Sequence, residues 1–174
     1  MTPPTMQKTY RQVKTMQQVS DNDRFPSRKH PRLKQFDYSS PNYYFITVCT
    51  GDRRHLFGEA RKLNRFGEIA LEAIQRIPDH FPQVTVEKAV VMPNHVHMIL
   101  ALQDKGSDIS TIVGQYKSYV SRCIRQIQPM ERIWQTSFHD HVIRNKQSYE
   151  KIWLYIHANP DNWEKDCFYS EKQT

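Results

Sequence analysis

Two histidines separated by a single residue, His95 and His97, stand in the segment HVHMILAL. Alternate side chains project to the same face of a β-strand, and a rise near 3.3 Å per residue places the two Cα atoms about 6 to 7 Å apart. Two imidazoles at that spacing can converge on one metal ion. The same pattern suits two partly exposed histidines on a sheet face, so the pair alone leaves both interpretations open.

A phenol and an amide occur four residues apart near the C-terminus, as Tyr155 and Asn159 in the segment YIHANP. Residues four apart lie on one flank of a helix, so a helix here directs both groups to one place. If that helix packs over the face bearing the two histidines, Tyr155 can approach the ion, and the Asn159 carbonyl oxygen can complete the ligand set. The alternative is that Asn159 only ends the helix before Pro160 and that Tyr155 is a boundary aromatic residue.

Seven segments with regular periodicity must position these residues. Apolar residues at helical spacing predict helices, and β-branched, aromatic or alternating runs predict strands. The predicted order is strand, helix, strand, strand, helix, strand, helix, over residues 43–49, 63–77, 84–92, 95–102, 110–127, 134–143 and 147–158. This order predicts an α+β fold, a ferredoxin-like sandwich whose antiparallel sheet carries two crossover helices on one face, with one further C-terminal helix bearing the tyrosine.

The composition favours a nucleic-acid partner. The 174 residues include 25 Lys and Arg against 18 Asp and Glu, a formal net charge of +7, and such a balance favours a polyanion, nucleic acid before membrane. No apolar run could span a bilayer and no signal-peptide pattern is present, so we expect a cytoplasmic protein without a membrane partner. Three widely separated cysteines argue against a disulfide framework and against a thiolate metal site.

Charge divides the chain into segments. Residues 1–27 are predicted to form a disordered or loosely held basic tail, residues 28–42 a basic arm, residues 43–163 the folded domain and residues 164–174 a C-terminal tail. The arm is a candidate for phosphate contacts, with a merely solubilising tail as the alternative. Its candidate contact residues are Arg28, Lys29, Arg32 and Lys34.

Other polar residues are weaker candidates. Lys117 could follow a DNA backbone, although a charged helix face is usually only its solvated side. The helical spacing of Tyr116 and Tyr119 favours core packing over base stacking. His139 and His141 form a second H-x-H on a predicted strand, but no predicted helix points to them, which disfavours a second metal site.

Four motifs in order, DYSSPNYYFITVCT, VMPNHVHMIL, WQTSFHDHVIR and YIHANP, resemble the REP-associated tyrosine transposases of the single-tyrosine HUH superfamily. The resemblance covers roughly residues 32–163. It implies that His95 and His97 hold a divalent cation, that Tyr155 is the nucleophile and that Asn159 is the third ligand. It also places Asp140, His141 and Arg144 near the active site or the DNA.

The resemblance implies cleavage of single-stranded DNA at or near palindromic repeat hairpins, with transposition or repeat mobilisation as the outcome. Attack by the tyrosine would leave a 5′-phosphotyrosine and a free 3′-OH, and the conserved bond energy would let another 3′-OH rejoin strands without ATP. The ligand set favours Mg²⁺ or Mn²⁺, although two imidazoles would also accept Zn²⁺. The implied partner is hairpin-bearing single-stranded DNA, bound by a monomer or a homodimer.

Two other functions remain open at the level of sequence. One is a repeat-hairpin DNA-binding regulator that keeps the fold without turnover. The other is a zinc hydrolase built on His95 and His97, which would need a carboxylate base near the pair, and VMPNHVHMIL contains none.

Overall fold

The structure, a computed structural model, describes residues 36–171. The arm residues Arg28, Lys29, Arg32 and Lys34 lie outside the described residues. The strands are β1 Asn42–Cys49, β2 Gly58–Glu59, β3 Lys62–Leu63, β4 Val84–Met92, β5 His95–Leu102 and β6 His139–Ile143. The α-helices are α1 Arg65–Gln75, α2 Ile77–His80, α3 Ile109–Ile127 and α4 Lys146–Ala158, and 3₁₀ turns span Gly51–Arg53 and Asn159–Lys165.

Four strands form one antiparallel sheet in the order β4-β5-β1-β6, and β2 and β3 pair separately. The chain crosses from β1 to β4 through α1 and from β5 to β6 through α3, so the two central strands are joined to the edges by helices. The predicted α+β sandwich, with an antiparallel sheet and a C-terminal helix, is confirmed.

The side chains of strand β5 alternate between two hydrophobic clusters, one on each face of the sheet. Val96, Met98 and Leu100 point to the face covered by α1 and α3, where they are fully buried. On the opposite face Ile99 joins a second cluster that includes Ile152 of α4. Burying one such side chain contributes about 1.5–3 kcal/mol relative to leaving it exposed. This second cluster therefore holds α4 against the same face that carries His95 and His97.

Side-chain caps define where the three long helices begin. The Asn145 side chain accepts a hydrogen bond from Ser148 N at 2.8 Å, which starts α4. Asn64 and Asp108 do the same for α1 and α3. Helix α4 ends at Ala158, as predicted, but the expected reason does not hold, because Asn159 before Pro160 keeps helical dihedral angles (φ −56°, ψ −43°) and the chain continues as a 3₁₀ turn with Pro160 at its start.

Three predicted segments differ from the structure by two residues or more. The strand expected over 134–143 begins only at His139, because Trp134 makes one isolated bridge to Thr50 and its indole N–H donates to Lys117 O at 3.1 Å. The helix expected over 63–77 ends at Gln75, and Pro78 lies in the first turn of α2, where a missing N–H costs nothing.

The third difference concerns the C-terminal segment. Residues 164–174 were expected to form a tail beyond the folded domain. Instead, the 3₁₀ turn runs through Lys165, and residues after it pack back on the sheet, with Asp166 only 7% exposed. Within residues 36–171, no helix combines the length and the apolar character needed to cross a membrane.

Candidate active site

The two imidazoles of β5 form a buried pair. His95 Nε2 lies 2.9 Å from His97 Nε2, and both side chains are fully buried. His95 Nδ1 lies 2.8 Å from the Asn94 side-chain oxygen, which can only accept, so Nδ1 carries the proton and Nε2 keeps its lone pair. Two lone pairs at such a distance repel each other unless a proton or a cation lies between them.

Two neighbouring side chains orient the rings. Asn94 comes from the β4–β5 turn, and Thr47 Oγ1 of β1 lies 2.8 Å from His97 Nδ1. A hydroxyl can donate or accept, so Thr47 supports either tautomer of His97. Burial lowers the pKa of both histidines, that of His95 well below its ordinary value of 6.5. Both rings are therefore neutral at neutral pH, the form that binds a metal.

Helix α4 carries Tyr155 to the same point. Its hydroxyl lies 3.2 Å from His97 Nε2 and donates to Asp166 Oδ2 at 2.6 Å. The phenol ring packs edge-on against Phe45 of β1, with ring centroids 6.2 Å apart. Burial, followed by the negative charge of Asp166, raises the pKa of Tyr155 above its ordinary value of 10. The phenol is therefore protonated at neutral pH.

Asn159 is the first residue after α4, and its side chain lies in the site with only 3% of the residue exposed. Its side-chain N–H donates to Asp166 Oδ2, and its oxygen is buried without a hydrogen-bond partner among the described residues. The structure thus brings together all four residues singled out by the sequence, His95, His97, Tyr155 and Asn159. The sequence predicts that the Asn159 oxygen completes a set of cation ligands. In the structure, the nitrogen of this amide instead faces a neighbouring carboxylate.

That acidic group is Asp166, which sequence patterns did not single out. Its carboxylate and the nitrogens of His95 and His97 offer ligand atoms that all lie within 4.8 Å of one another. Burial by itself would raise the pKa of Asp166, but the two imidazoles and the Tyr155 hydroxyl hold it well below its usual range. The carboxylate is therefore ionised at neutral pH. The boundary expected at residue 163 would have cut this residue from the site.

The segment from Asp166 to Ser170 covers the imidazoles. The Phe168 ring lies 4.9 Å from the His95 ring and 5.7 Å from the His97 ring, centroid to centroid. The Asn94 side-chain N–H donates to Phe168 O at 2.9 Å and to Ser170 Oγ at 3.1 Å. The same amide therefore orients His95 and fastens the segment that excludes water from the site.

The other residues predicted near the active site or the DNA lie at separate places on and after β6. Strand β6 pairs His141 with Phe45 and His139 with Thr47, so both histidines share the site face, and the His139 ring lies 5.7 Å from that of Phe168. Asp140 is opposite Ile46 and is buried on the other face, away from the imidazoles. Arg144 is exposed just after β6.

Lys117 stabilises the loop that precedes β6 through hydrogen bonds to its backbone. Its ammonium donates to Gln135 O at 2.7 Å and to Thr136 O at 3.0 Å, and burial lowers its pKa. Tyr116 is buried in the core, and Tyr119 packs against it. Helix α3, which carries all three, covers the sheet face opposite the imidazoles.

A cation beside the site was also missed by the sequence. Asp52 and Arg53, in the 3₁₀ turn after β1, have φ of 55° and 54°, a left-handed conformation that non-glycine residues rarely adopt. The turn is anchored by Gly51 N, which donates to Ile133 O at 2.9 Å. The Arg53 guanidinium lies 5.8 Å from the Phe168 ring, and residues 36–171 supply no carboxylate that forms an ion pair with it.

Comparison with known proteins gives related sequences and a related fold. A family model described as IS200-like transposase matches residues 38–159. An uncharacterized protein of Haemophilus influenzae is 33% identical over 167 residues, covering 82% of this chain and 93% of that protein. A REP-associated tyrosine transposase of Escherichia coli is 32% identical over 123 residues, covering 71% of this chain and 68% of that protein.

Among solved structures, a REP-associated tyrosine transposase bound to a REP hairpin superposes with a TM-score of 0.62. It is 24% identical and covers 76% of this chain and 74% of that one. At this identity the match supports the fold alone. The family match ends at Asn159, so Asp166 and Phe168 lie beyond it.

Proposed function

Because this chain belongs to the IS200-like transposase family, with REP-associated tyrosine transposases among its relatives, we propose that it cleaves and rejoins single-stranded DNA through Tyr155. One observation carries the proposal. The Tyr155 hydroxyl lies 3.2 Å from Nε2 of His97, inside a pocket formed by two neutral imidazoles and an ionised carboxylate. Burial lowers the acidity of this phenol, so its attack needs a group that takes the hydroxyl proton, and Asp166 Oδ2 accepts the hydrogen bond of that hydroxyl at 2.6 Å.

The residues of the pocket fit a divalent cation. The two imidazole nitrogens lie 2.9 Å apart in rings that are neutral at neutral pH, and with His97 protonated on Nδ1 toward Thr47 both nitrogens would offer a lone pair to one cation. His95 and His97 would hold it, with an oxygen of Asn159 or Asp166 as the third ligand, and Mg²⁺ or Mn²⁺ suits such a set. A bound cation would neutralise the charge of the scissile phosphate and stabilise the additional charge of its transition state.

The residues of this chain would place the nucleophile and keep water out. Helix α4 fixes the Tyr155 ring against Phe45, and Asp166 orients its hydroxyl. As the bond from the phenol oxygen to phosphorus forms, the bond from phosphorus to the 3′ oxygen breaks, leaving a 5′-phosphotyrosine and a 3′-OH. The proton lost by the phenol balances the one gained by the 3′ oxygen. Because Phe168 covers both imidazoles, its side chain has to move aside for the phosphodiester to enter.

The substrate we propose is single-stranded DNA bearing a palindromic repeat hairpin, bound by a monomer or a homodimer. The formal net charge of +7 supports a polyanionic partner. The basic arm, through Arg28, Lys29, Arg32 and Lys34, would contact the hairpin phosphates, and Arg144, exposed after β6, is a further candidate for a phosphate contact.

The decisive experiment is incubation of the purified protein with 3′-labelled single strands of the repeats that flank its gene. We expect a covalent protein–DNA adduct on a denaturing gel, formed with Mn²⁺ or Mg²⁺ and lost with EDTA. A fully paired duplex of the same sequence should give at least about tenfold less adduct. Equal cleavage of the duplex, or cleavage in EDTA, would show that the proposed mechanism is wrong.

Replacing Arg53 with glutamine should weaken cleavage of the hairpin strand by about tenfold at subsaturating DNA. The guanidinium lies at the rim of the site beside Phe168, and one charge-assisted contact to a phosphate contributes about 1.5–3 kcal/mol. The matched control is Arg122→Gln, which removes the same charge from α3 on the opposite face of the sheet. Cleavage rates measured in parallel should fall for Arg53→Gln only, and an equal loss in both variants would contradict a local role.

A zinc hydrolase is the second candidate, because Asp166 supplies the carboxylate that the H-x-H segment lacks. Such an enzyme would use water as its nucleophile and would leave no DNA bound to the protein. The adduct experiment therefore separates the two functions, since free cleavage products without any adduct would favour the hydrolase.

A further inference from the structure

A carboxylate that lies beyond the region matched by the family model shares the pocket with the two imidazoles. Asp166 follows Asn159 by seven residues, and its side chain is fully buried. In the part of the chain that the structure describes, Asp166, His95 and His97 are the one group of three His, Cys, Asp or Glu residues with ligand atoms close enough for a single ion. We propose that Asp166 is a cation ligand beside His95 and His97, an inference that rests on the proposed function.

The spacing of the donor atoms supports this assignment. Bonds of about 2.1 Å at right angles, as Mg²⁺ requires, bring neighbouring ligand atoms to about 3 Å from each other. The two imidazole nitrogens are 2.9 Å apart, and Asp166 Oδ2 lies 3.8 Å from His97 Nε2. A shift of the carboxylate by about 1 Å therefore completes one face of an octahedron.

The charge balance of the pocket also supports Asp166 as a cation ligand. Two neutral imidazoles and a neutral amide would leave a buried double positive charge without any compensation from the protein, which is costly in a low-dielectric pocket. An ionised carboxylate halves that charge and is the preferred ligand of hard cations such as Mg²⁺ and Mn²⁺.

Asn159 is already engaged in holding this carboxylate. Its side-chain N–H donates to Asp166 Oδ2, and its buried side-chain oxygen has no hydrogen-bond partner among residues 36–171. Tyr155 donates to the same oxygen at 2.6 Å. The amide nitrogen of Asn159 thus keeps the carboxylate directed toward the imidazoles and toward Tyr155.

The backbone around Asp166 is fixed independently of the cation. Asp166 N donates to Trp163 O at 3.0 Å, which closes the 3₁₀ turn. Asp166 Oδ1 accepts from Phe168 N at 2.6 Å, and Phe168 O is held by Asn94, the residue that orients His95. The imidazole pair and the carboxylate are therefore connected through one continuous set of hydrogen bonds.

The test is the affinity of the full-length protein for Mn²⁺, measured without DNA by the loss of the free-ion EPR signal on titration. Asp166→Asn should weaken Mn²⁺ binding by at least about tenfold, since loss even of a residue that only supports a ligand costs about 10- to 100-fold. Asn159→Ala should weaken it less than Asp166→Asn does. Asp161→Asn, which removes an exposed carboxylate of the same 3₁₀ turn, should leave it unchanged.

Asp166→Asn binding Mn²⁺ like the wild type would overturn the assignment. If Asp166→Asn fails to fold by circular dichroism, Asp166→Glu decides, because it keeps the carboxylate and should bind Mn²⁺ more tightly than Asp166→Ala. Adduct formation by the wild type separates this inference from the proposed function. If the wild type forms the Mn²⁺-dependent adduct and Asp166→Asn keeps wild-type Mn²⁺ affinity, only the assignment of Asp166 as a ligand is wrong.

Discussion

Replacing Tyr155 with phenylalanine should abolish the covalent DNA adduct while leaving hairpin binding within about twofold of the wild type. The substitution removes only the hydroxyl that lies 3.2 Å from His97 Nε2, and it keeps the ring that packs against Phe45. Loss of a nucleophile has cost on the order of 10⁶ in kcat in a serine protease, so we expect a loss of at least about a thousandfold. The adduct is measured on a denaturing gel with a 3′ label, because the 5′ phosphate joined to tyrosine stays with the 3′ fragment.

The matched control for this substitution is Tyr149→Phe. Tyr149 lies on the same helix, and its hydroxyl donates to Glu87 at the surface at 3.2 Å, remote from the imidazoles. It should retain wild-type adduct formation. Adduct from Tyr155→Phe at the wild-type level would show that the nucleophile lies elsewhere. Hairpin binding by a wild-type protein that never forms an adduct would instead support the non-catalytic regulator.

The framework of the fold was predictable because its long elements have strong periodicity. Strand β5 alternates apolar residues with His95 and His97, and this alternation specifies both which face is buried and which face carries the histidines. The sequence predicts a strand β6 that is five residues too long at its start, because aromatic residues such as Trp134 favour strands. In the structure, Trp134 is buried through its contacts with α3 and with Phe57.

The location of the proposed nucleophile, Tyr155, was predictable because two sequence periodicities direct it to the same face of the sheet. The spacing of Tyr155 and Asn159 places both on one flank of a helix, and the apolar side chains of Ile152 and Ile156, which are buried in the structure, indicate the side of that helix that packs on the sheet. The orientation of the Asn159 amide could not be predicted, because it depends on a partner, Asp166, whose position is set by tertiary contacts.

Asp166, Asn94 and Arg53 were missed for a common physical reason. Each lies in a turn or irregular segment, where the direction of a side chain follows from distant hydrogen bonds and not from a repeat. The segment WEKDCFY has no strand or helix period, so sequence patterns placed it in a tail. Its function in the site becomes visible only when the chain folds back over the imidazoles.

Replacing His97 with alanine should eliminate both Mn²⁺ binding and adduct formation. His97 is the central donor of the site, because its Nε2 lies 2.9 Å from His95 Nε2, 3.2 Å from the Tyr155 hydroxyl and 3.8 Å from Asp166 Oδ2. At Mn²⁺ concentrations of about 100 times Kd, the wild type should gain about 2.7 kcal/mol of stability, which raises Tm by several degrees. The variant should show no such gain in a thermal scan with and without Mn²⁺.

His139→Ala provides the control, because it removes an imidazole from the same sheet face but from the second H-x-H, beside Phe168. It should keep the Mn²⁺-induced rise in Tm and most of the adduct, whereas His97→Ala loses both. The apo forms should be compared first, since His97→Ala also leaves Thr47 without its buried partner and creates a cavity that lowers Tm by itself. A rise in Tm with Mn²⁺ that is equal in His97→Ala and in the wild type would mean that the cation binds elsewhere, and the buried imidazole pair would then have to be explained as a structural feature.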